Sequence, residues 1–228
     1  MDILLGHELD RLKKDILTLY AEVEECVSKS VQSLIRLDAD LAQSLLRKDE
    51  EIDQMEVDME EECLKVLALY QPVASDLRFI ITILKINNDL ERIADLAVNI
   101  AERAITLANV SPVQAPFDPS SLGKKVLTML DKSFDSFIKL NTDLAYEVLT
   151  LDDEVDLIHK NSYGKVGEMV LKAPDTFTAL SNYLSASRHL ERIADLTTNI
   201  AEDVIYLVKG DIVRHKTEFL TKPPLKKL

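Results

Sequence analysis

The stretch DLERIADLAVNIAERAI, Asp89–Ile105, returns one hundred residues later as HLERIADLTTNIAEDVI, His189–Ile205. Across the windows 88–105 and 188–205 twelve positions are identical, including Glu91/Glu191, Asp95/Asp195, Asn99/Asn199 and Glu102/Glu202. Both copies place Leu, Ile and Ala at three- and four-residue intervals without proline or glycine, the pattern of a helix with a buried face. Core packing alone would keep that apolar pattern and let the surface drift. The duplicated carboxylates and amides therefore need a cause of their own.

The repeat extends upstream. DADLAQSLLRKDEEID (38–53) aligns with NTDLAYEVLTLDDEVD (141–156) at an offset of 103, so the repeated unit is a whole supersecondary structure. Helical periodicity covers roughly 3–36, 39–69 and 73–109, and again 121–140, 143–171 and 176–209. Asp38 and Asn141 stand at matching places as N-caps, because a short side-chain oxygen there accepts from the free N–H groups of the first turn. Pro72 and Pro174 mark the turns into the third helix of each unit, and Gly210 is placed to end the last helix. The segment NVSPVQAPFDPSS, 109–121, holds three prolines and reads as a linker.

The fold class that follows is all-α: two tandem three-helix bundles related by an internal repeat, with a pseudo-twofold relation between them. The boundaries are 1–110 for the first bundle, 111–120 for the proline-containing linker, 121–210 for the second bundle and 211–228 for a basic tail.

Composition narrows the function. There are 27 basic and 40 acidic side chains, a net charge of −13. Such a surface repels phosphate backbones, so no nucleic-acid partner is expected; divalent cations or a basic protein surface suit it better. The opening MDILLGHELDRLKK has neither the charge order nor the apolar run of a secretory leader. The greasiest window, 77–86, is too short to span a bilayer. Cys26 and Cys63 lack metal-ligand spacing and read as small apolar side chains of a cytosolic protein. The expected location is cytoplasmic.

On a helix advancing about 100° per residue, with Glu91 as zero, Asp95 falls at about 40°, Glu102 at about 20°, Asn88 at about 60° and Asn99 at about 80°. A narrow acidic and amide stripe thus runs along an otherwise apolar helix. Glu191, Asp195, Asn199 and Glu202 repeat it. The middle helix of each unit carries a partner stripe: Asp49, Asp53, Glu56 and Glu60 in the first, Asp152, Asp156, His159 and Tyr163 in the second. Like charges four residues apart repel by a few tenths of a kcal/mol per pair (about 0.2–0.5). Their symmetric repetition suggests a positive partner, either a metal ion or the arginines Arg78, Arg92, Arg188 and Arg192 in ordinary salt bridges. Carboxylate and amide oxygens suit hard or borderline cations, and His159 would suit iron, zinc or nickel. A ferritin-type di-iron site needs Glu-x-x-His, which the chain lacks; Asp156-x-x-His159 is its nearest approach, in one half only. There is no phosphate-binding glycine loop, nucleophile elbow or Cys/His dyad either. The chain is not expected to be an enzyme.

Three stretches, YQPVASDLR (70–78), DLERIADLAVNIAERA (89–104) and RHLERIADLTTNIAE (188–202), resemble the phosphate-uptake regulator family, PhoU. The resemblance runs through the whole chain to VKGDIVRH. It implies a cytoplasmic, often dimeric protein of tandem three-helix bundles, hence a homodimer. It also implies multinuclear iron or zinc clusters held by paired E(D)-x-x-x-D motifs. By position those motifs are Asp49/Asp53 with Glu91/Asp95, and Asp152/Asp156 with Glu191/Asp195. The implied function is negative regulation of phosphate uptake and of the phosphate-starvation (Pho regulon) response. In that role the protein contacts the ATPase subunit of the phosphate ABC transporter and the phosphate sensor histidine kinase, reaching the membrane only through protein partners. The residues by themselves leave a second reading open, a carboxylate-bridged metal-binding or metal-storage protein without regulatory role.

Overall fold

The computed structural model of the chain describes residues 2–210, so the basic tail read at 211–228 lies outside it. Seven α-helices and one 3-10 turn follow in order, and no strand occurs among the described residues. They are α1 (Asp2–Arg36), α2 (Ala39–Leu45), α3 (Asp49–Tyr70), α4 (Ala74–Ala108), α5 (Pro119–Lys139), α6 (Thr142–Lys172) and α7 (Phe177–Lys209), with the 3-10 turn at Pro174–Thr176. The first bundle is α1, α2 with α3, and α4; the second is α5, α6 and α7.

The caps fall where the sequence puts them. The Asp38 carboxylate accepts from the Leu41 N–H at 3.0 Å, and the Asn141 side chain accepts from Asp143 N at 2.9 Å. Each cap follows a leucine in the left-handed region, Leu37 at φ 53° and Leu140 at φ 49°. The chain closes each turn with one backbone bond reaching five residues back, Asp38 N–H to Ser33 O at 3.0 Å and Asn141 N–H to Ser136 O at 2.9 Å. Gly210, at φ 76°, ends α7 with its N–H on Tyr206 O at 2.8 Å.

One element differs from the periodicity. The segment 39–69 is not a single helix: it loosens at 46–48, whereas its counterpart α6 runs unbroken. The backbone stays in the right-handed region there, with Leu46 at φ −60° and Lys48 at φ −81°. Lys48 N–H bonds Leu45 O at 3.0 Å, a tightened three-residue turn. Its ammonium is drawn to Glu22 and Glu25 of α1, 2.6 Å from each.

The core is continuous across both repeats. On α4 the buried side includes Ala94, Ala97, Ala101 and Ala104, and on α7 Ala186, Ala194 and Ala201, so these two central helices approach closely. They run antiparallel: Lys85, early in α4, reaches Asp203, late in α7, at 2.9 Å. The bundles also meet through α1 and α5. Tyr20 stacks on Phe134 with ring centroids 3.8 Å apart and donates to Asp131 at 2.7 Å. Gly123 of α5 lies against Val31 of α1 so closely that an added Cβ would sit 2.3 Å from a valine methyl. Cys26 and Cys63 are free and fully buried, as their apolar reading expects. No described helix is long and apolar enough to cross a membrane.

Candidate metal centre

The α3–α4 pair builds the first site. Helical spacing places Asp49 and Asp53 one turn apart on α3, and α4 lies alongside with Glu91 and Asp95 one turn apart. Asp49, Asp53 and Asp95 each offer an oxygen, and the three oxygens lie within 4.8 Å of one another. Ligands about 2.0–2.6 Å from a shared cation have separations of this order. Glu91 borders the group: burial, then Asp95, Asp53 and Glu56, push its carboxyl above the usual range. Burial and the neighbouring acids raise Asp49, and burial followed by Asp53 raises Asp95.

The second site repeats this on α6 and α7. Burial, then Asp156, Asp195, Asp153 and Glu191, push Asp152 up to about 7. Burial, then Glu191 and Asp156, push Asp195 up to about 6. Glu191 is raised as well, chiefly by burial and Asp156. These four acids feel one another, yet they do not bring three ligand atoms as close together as the first set does.

The bland alternative, salt bridges to arginine, is not what forms. None of Arg78, Arg92, Arg188 and Arg192 makes an ion pair among the described residues. Instead, one oxygen in each site is left over. Asp49 Oδ1 and Asp152 Oδ1, at matching positions of the repeat, are buried and have no hydrogen-bond partner. A buried carboxylate oxygen without a donor costs about 1–3 kcal/mol or more. An all-oxygen donor set with one orphaned atom per site fits a hard or borderline cation.

Both sites share a brace that the sequence alone did not reveal. Asn87 of α4 donates to Glu56 O at 2.9 Å and to Glu56 Oε1 at 3.2 Å. The matching residues in the second repeat, Ser187 and His159, meet at 2.9 Å through His159 Nδ1. His159, read from sequence as a candidate donor, is thus buried and engaged on one ring nitrogen, and its pKa is lowered by burial and by Arg188.

The duplicated stripe divides in two. Glu91 and Asp95 face α3, but Asn199 and Glu202 line a cleft between α7 and α4 with Lys85, Asn88, Asp89 and Arg92. Glu102, for its part, pairs with Arg103 at 2.9 Å and acts weakly on His189 of α7. A helical wheel gives the face of each residue but not the neighbour it meets; Asn88 and Asn199 belong to the α4–α7 seam.

This arrangement has relatives. The sequence pattern of the PhoU domain matches residues 16–104 and 120–204, one match per repeat. The chain belongs to the PhoU family. It is 39% identical over 209 residues to the phosphate-specific transport system accessory protein PhoU homolog of Pseudomonas aeruginosa, covering 91% of this chain and 86% of that protein. The homolog from Aquifex aeolicus is 38% identical, covering 93% and 96%. The Escherichia coli accessory protein PhoU is 30% identical, covering 91% and 86%. The crystal structure of PhoU from Pseudomonas aeruginosa superposes with a TM-score of 0.86 at 38% identity, over 90% of this chain and 99% of that one. The phosphate transport system regulatory protein PhoU from Streptococcus pneumoniae gives 0.79 at 30% identity, over 92% and 99%. These PhoU relatives are named as accessory or regulatory proteins of phosphate transport, not as enzymes.

Proposed function

We propose that the protein is a cytoplasmic negative regulator of phosphate uptake and of the phosphate-starvation response. In this reading it is an adaptor between the phosphate ABC transporter, chiefly its ATPase subunit, and the sensor histidine kinase. The observation that carries the reading is membership of the PhoU family across both repeats and nearly the full length of relatives named as phosphate-transport accessory proteins. Seven helices with one shared core offer long faces for protein partners, and no nucleophile, general base or cofactor loop stands out in the sequence. A homodimer is part of the reading, and the membrane is reached through protein partners.

The metal belongs to the same proposal. Asp49, Asp53, Glu91 and Asp95 would hold one centre, and Asp152, Asp156, Glu191 and Asp195 the other. Bound iron or zinc would supply the positive charge that offsets four convergent carboxylates, drawing α3 to α4 and α6 to α7. Metal analysis of protein purified without chelator should find the ion, and Asp53→Ala should lower the stoichiometry through the first centre alone.

Deletion of the gene in a host with a single copy tests the regulatory reading. Alkaline phosphatase and phosphate import should be derepressed in phosphate-rich medium. An unchanged response, with metal still bound by the purified protein, would favour a carboxylate-bridged metal-storage protein instead.

A further inference from the structure

The two carboxylate sets differ in how closely they gather. Asp49, Asp53 and Asp95 bring oxygens within 4.8 Å of one another, and among the described residues the second set brings no three so close. What precedes the first aspartate differs too. Asp49 opens α3 directly after the loosened turn at 46–48, whereas Asp152 lies inside the unbroken α6. Lys48, the last residue of that turn, is held by α1 through Glu22 and Glu25, with Nζ 2.6 Å from each. Its N–H closes the turn on Leu45 O at 3.0 Å, and its carbonyl accepts from Ile52 N–H at 3.2 Å as α3 begins.

The second repeat has no such anchor. The offset of 103 that pairs α2 and α3 with α6 also pairs α1 with α5: Ser30 and Ser33 bond back along α1 as Ser133 and Ser136 do along α5. The contacts agree, since Tyr20 on Phe134 becomes Gly123 on Val31 when the copies are exchanged. By that offset Lys48, Glu22 and Glu25 correspond to Leu151, Lys125 and Thr128. Those three residues line an open cavity of about 290 Å³ between α5 and α6, where Lys125 pairs with Glu154. One molecule thus carries the same four-carboxylate motif with and without an anchor at the residue before its first aspartate.

We propose that Lys48 is a positioning residue for the first metal centre: by pinning the turn to Glu22 and Glu25 it holds Asp49 beside Asp53 and Asp95 before a cation arrives. The inference rests on the metal reading above. Converging carboxylates repel one another, and an unanchored helix end relieves that repulsion by swinging outward. Charge-assisted bonds from Lys48 to two carboxylates of a neighbouring helix oppose the movement. A set already gathered binds without the cost of gathering, so the first centre should fill before the second.

Calorimetric titration of the full-length chain with zinc tests this role. Asp156→Ala leaves the first centre to be read by itself, and Asp53→Ala leaves the second. In the Asp156→Ala chain, Lys48→Met should weaken zinc binding by about 10- to 100-fold, the usual effect of losing a residue that orients a ligand. Lys48→Arg should restore most of the affinity. Glu22→Gln with Glu25→Gln, which keeps Lys48 but removes its anchors, should weaken binding as Lys48→Met does. In the Asp53→Ala chain, Lys48→Met should change nothing. Unchanged affinity of the first centre in Lys48→Met, equal weakening of both centres, or a second centre that fills first would each overturn the positioning role while leaving the metal reading intact. A parent chain that binds no zinc would overturn the metal reading itself, and the role of Lys48 with it.

Discussion

Asp49 and Asp152 each hold one carboxylate oxygen buried and away from any donor. This has a consequence for pH as well as for metal. Asp152 is pushed up to about 7 and Asp195 to about 6, both first by burial and then by neighbouring acids. An acid whose pKa is higher in the folded than in the unfolded chain binds its proton more tightly when folded. Its contribution is complete below the unfolded value and disappears as pH rises through the folded one. The metal-free protein should therefore melt at a lower temperature at about pH 8 than at about pH 5. Asp152→Asn should flatten that slope, and a bound cation should reverse it by preferring the ionised carboxylates. Melting curves at several pH values, with chelator and with added zinc, read out all three. A slope unchanged by Asp152→Asn would show that the second carboxylate set is not its source.

At the scale of elements, the paired turns between the first and second helices of each repeat carry a strain visible in the backbone. Leu140 sits at φ 49° and is more than half exposed, at 52%. The left-handed region costs a leucine about 1–2 kcal/mol, and glycine does not incur it. Leu140→Gly should be neutral or stabilising by up to about 1 kcal/mol. Leu140→Val should destabilise by about 1 kcal/mol or more, since a branched Cβ fits that region poorly. Asn141→Ala, one residue on, should cost about 1 kcal/mol through the lost cap. Denaturant midpoints separate these outcomes. The caps were legible in sequence because Asp38 and Asn141 recur at one offset ahead of matching apolar patterns. The loosened turn at 46–48 was not, because its residues keep helical dihedrals and the ion pairs from Lys48 to Glu22 and Glu25 join segments far apart in the chain.

For the whole molecule, the repeat and the apolar periods made the two bundles readable, and a helical wheel put Asp49 with Asp53, and Glu91 with Asp95, each on one face of its helix. What a wheel lacks is the partner of each face. Asn199 and Glu202 share a helix side with Glu191, so only the docking of α4 on α7 reveals that these two positions serve the seam. The same holds for α1 on α5, where Gly123 admits Val31. Gly123→Ala should cost about 1–3 kcal/mol by overpacking. Gly6→Ala, in α1 with nothing near its Cβ position, should instead be neutral or stabilising by up to about 1 kcal/mol. If Gly123→Ala unfolds no more easily than the parent chain in denaturant, the α1–α5 contact yields more readily than its geometry implies.

The antiparallel seam of α4 and α7 has one more consequence. Each repeat buries against its sister a face that a solitary repeat would present to water. A chain of half this length could cover that face only by pairing with an identical molecule, and both ends of such a pair would be alike by symmetry. Joining the halves in one polypeptide releases that constraint, because a change in one copy is no longer imposed on the other. Asp89 where the second copy has His189, and Asp203 where the first has Arg103, are what this freedom permits: a doubled architecture with a direction.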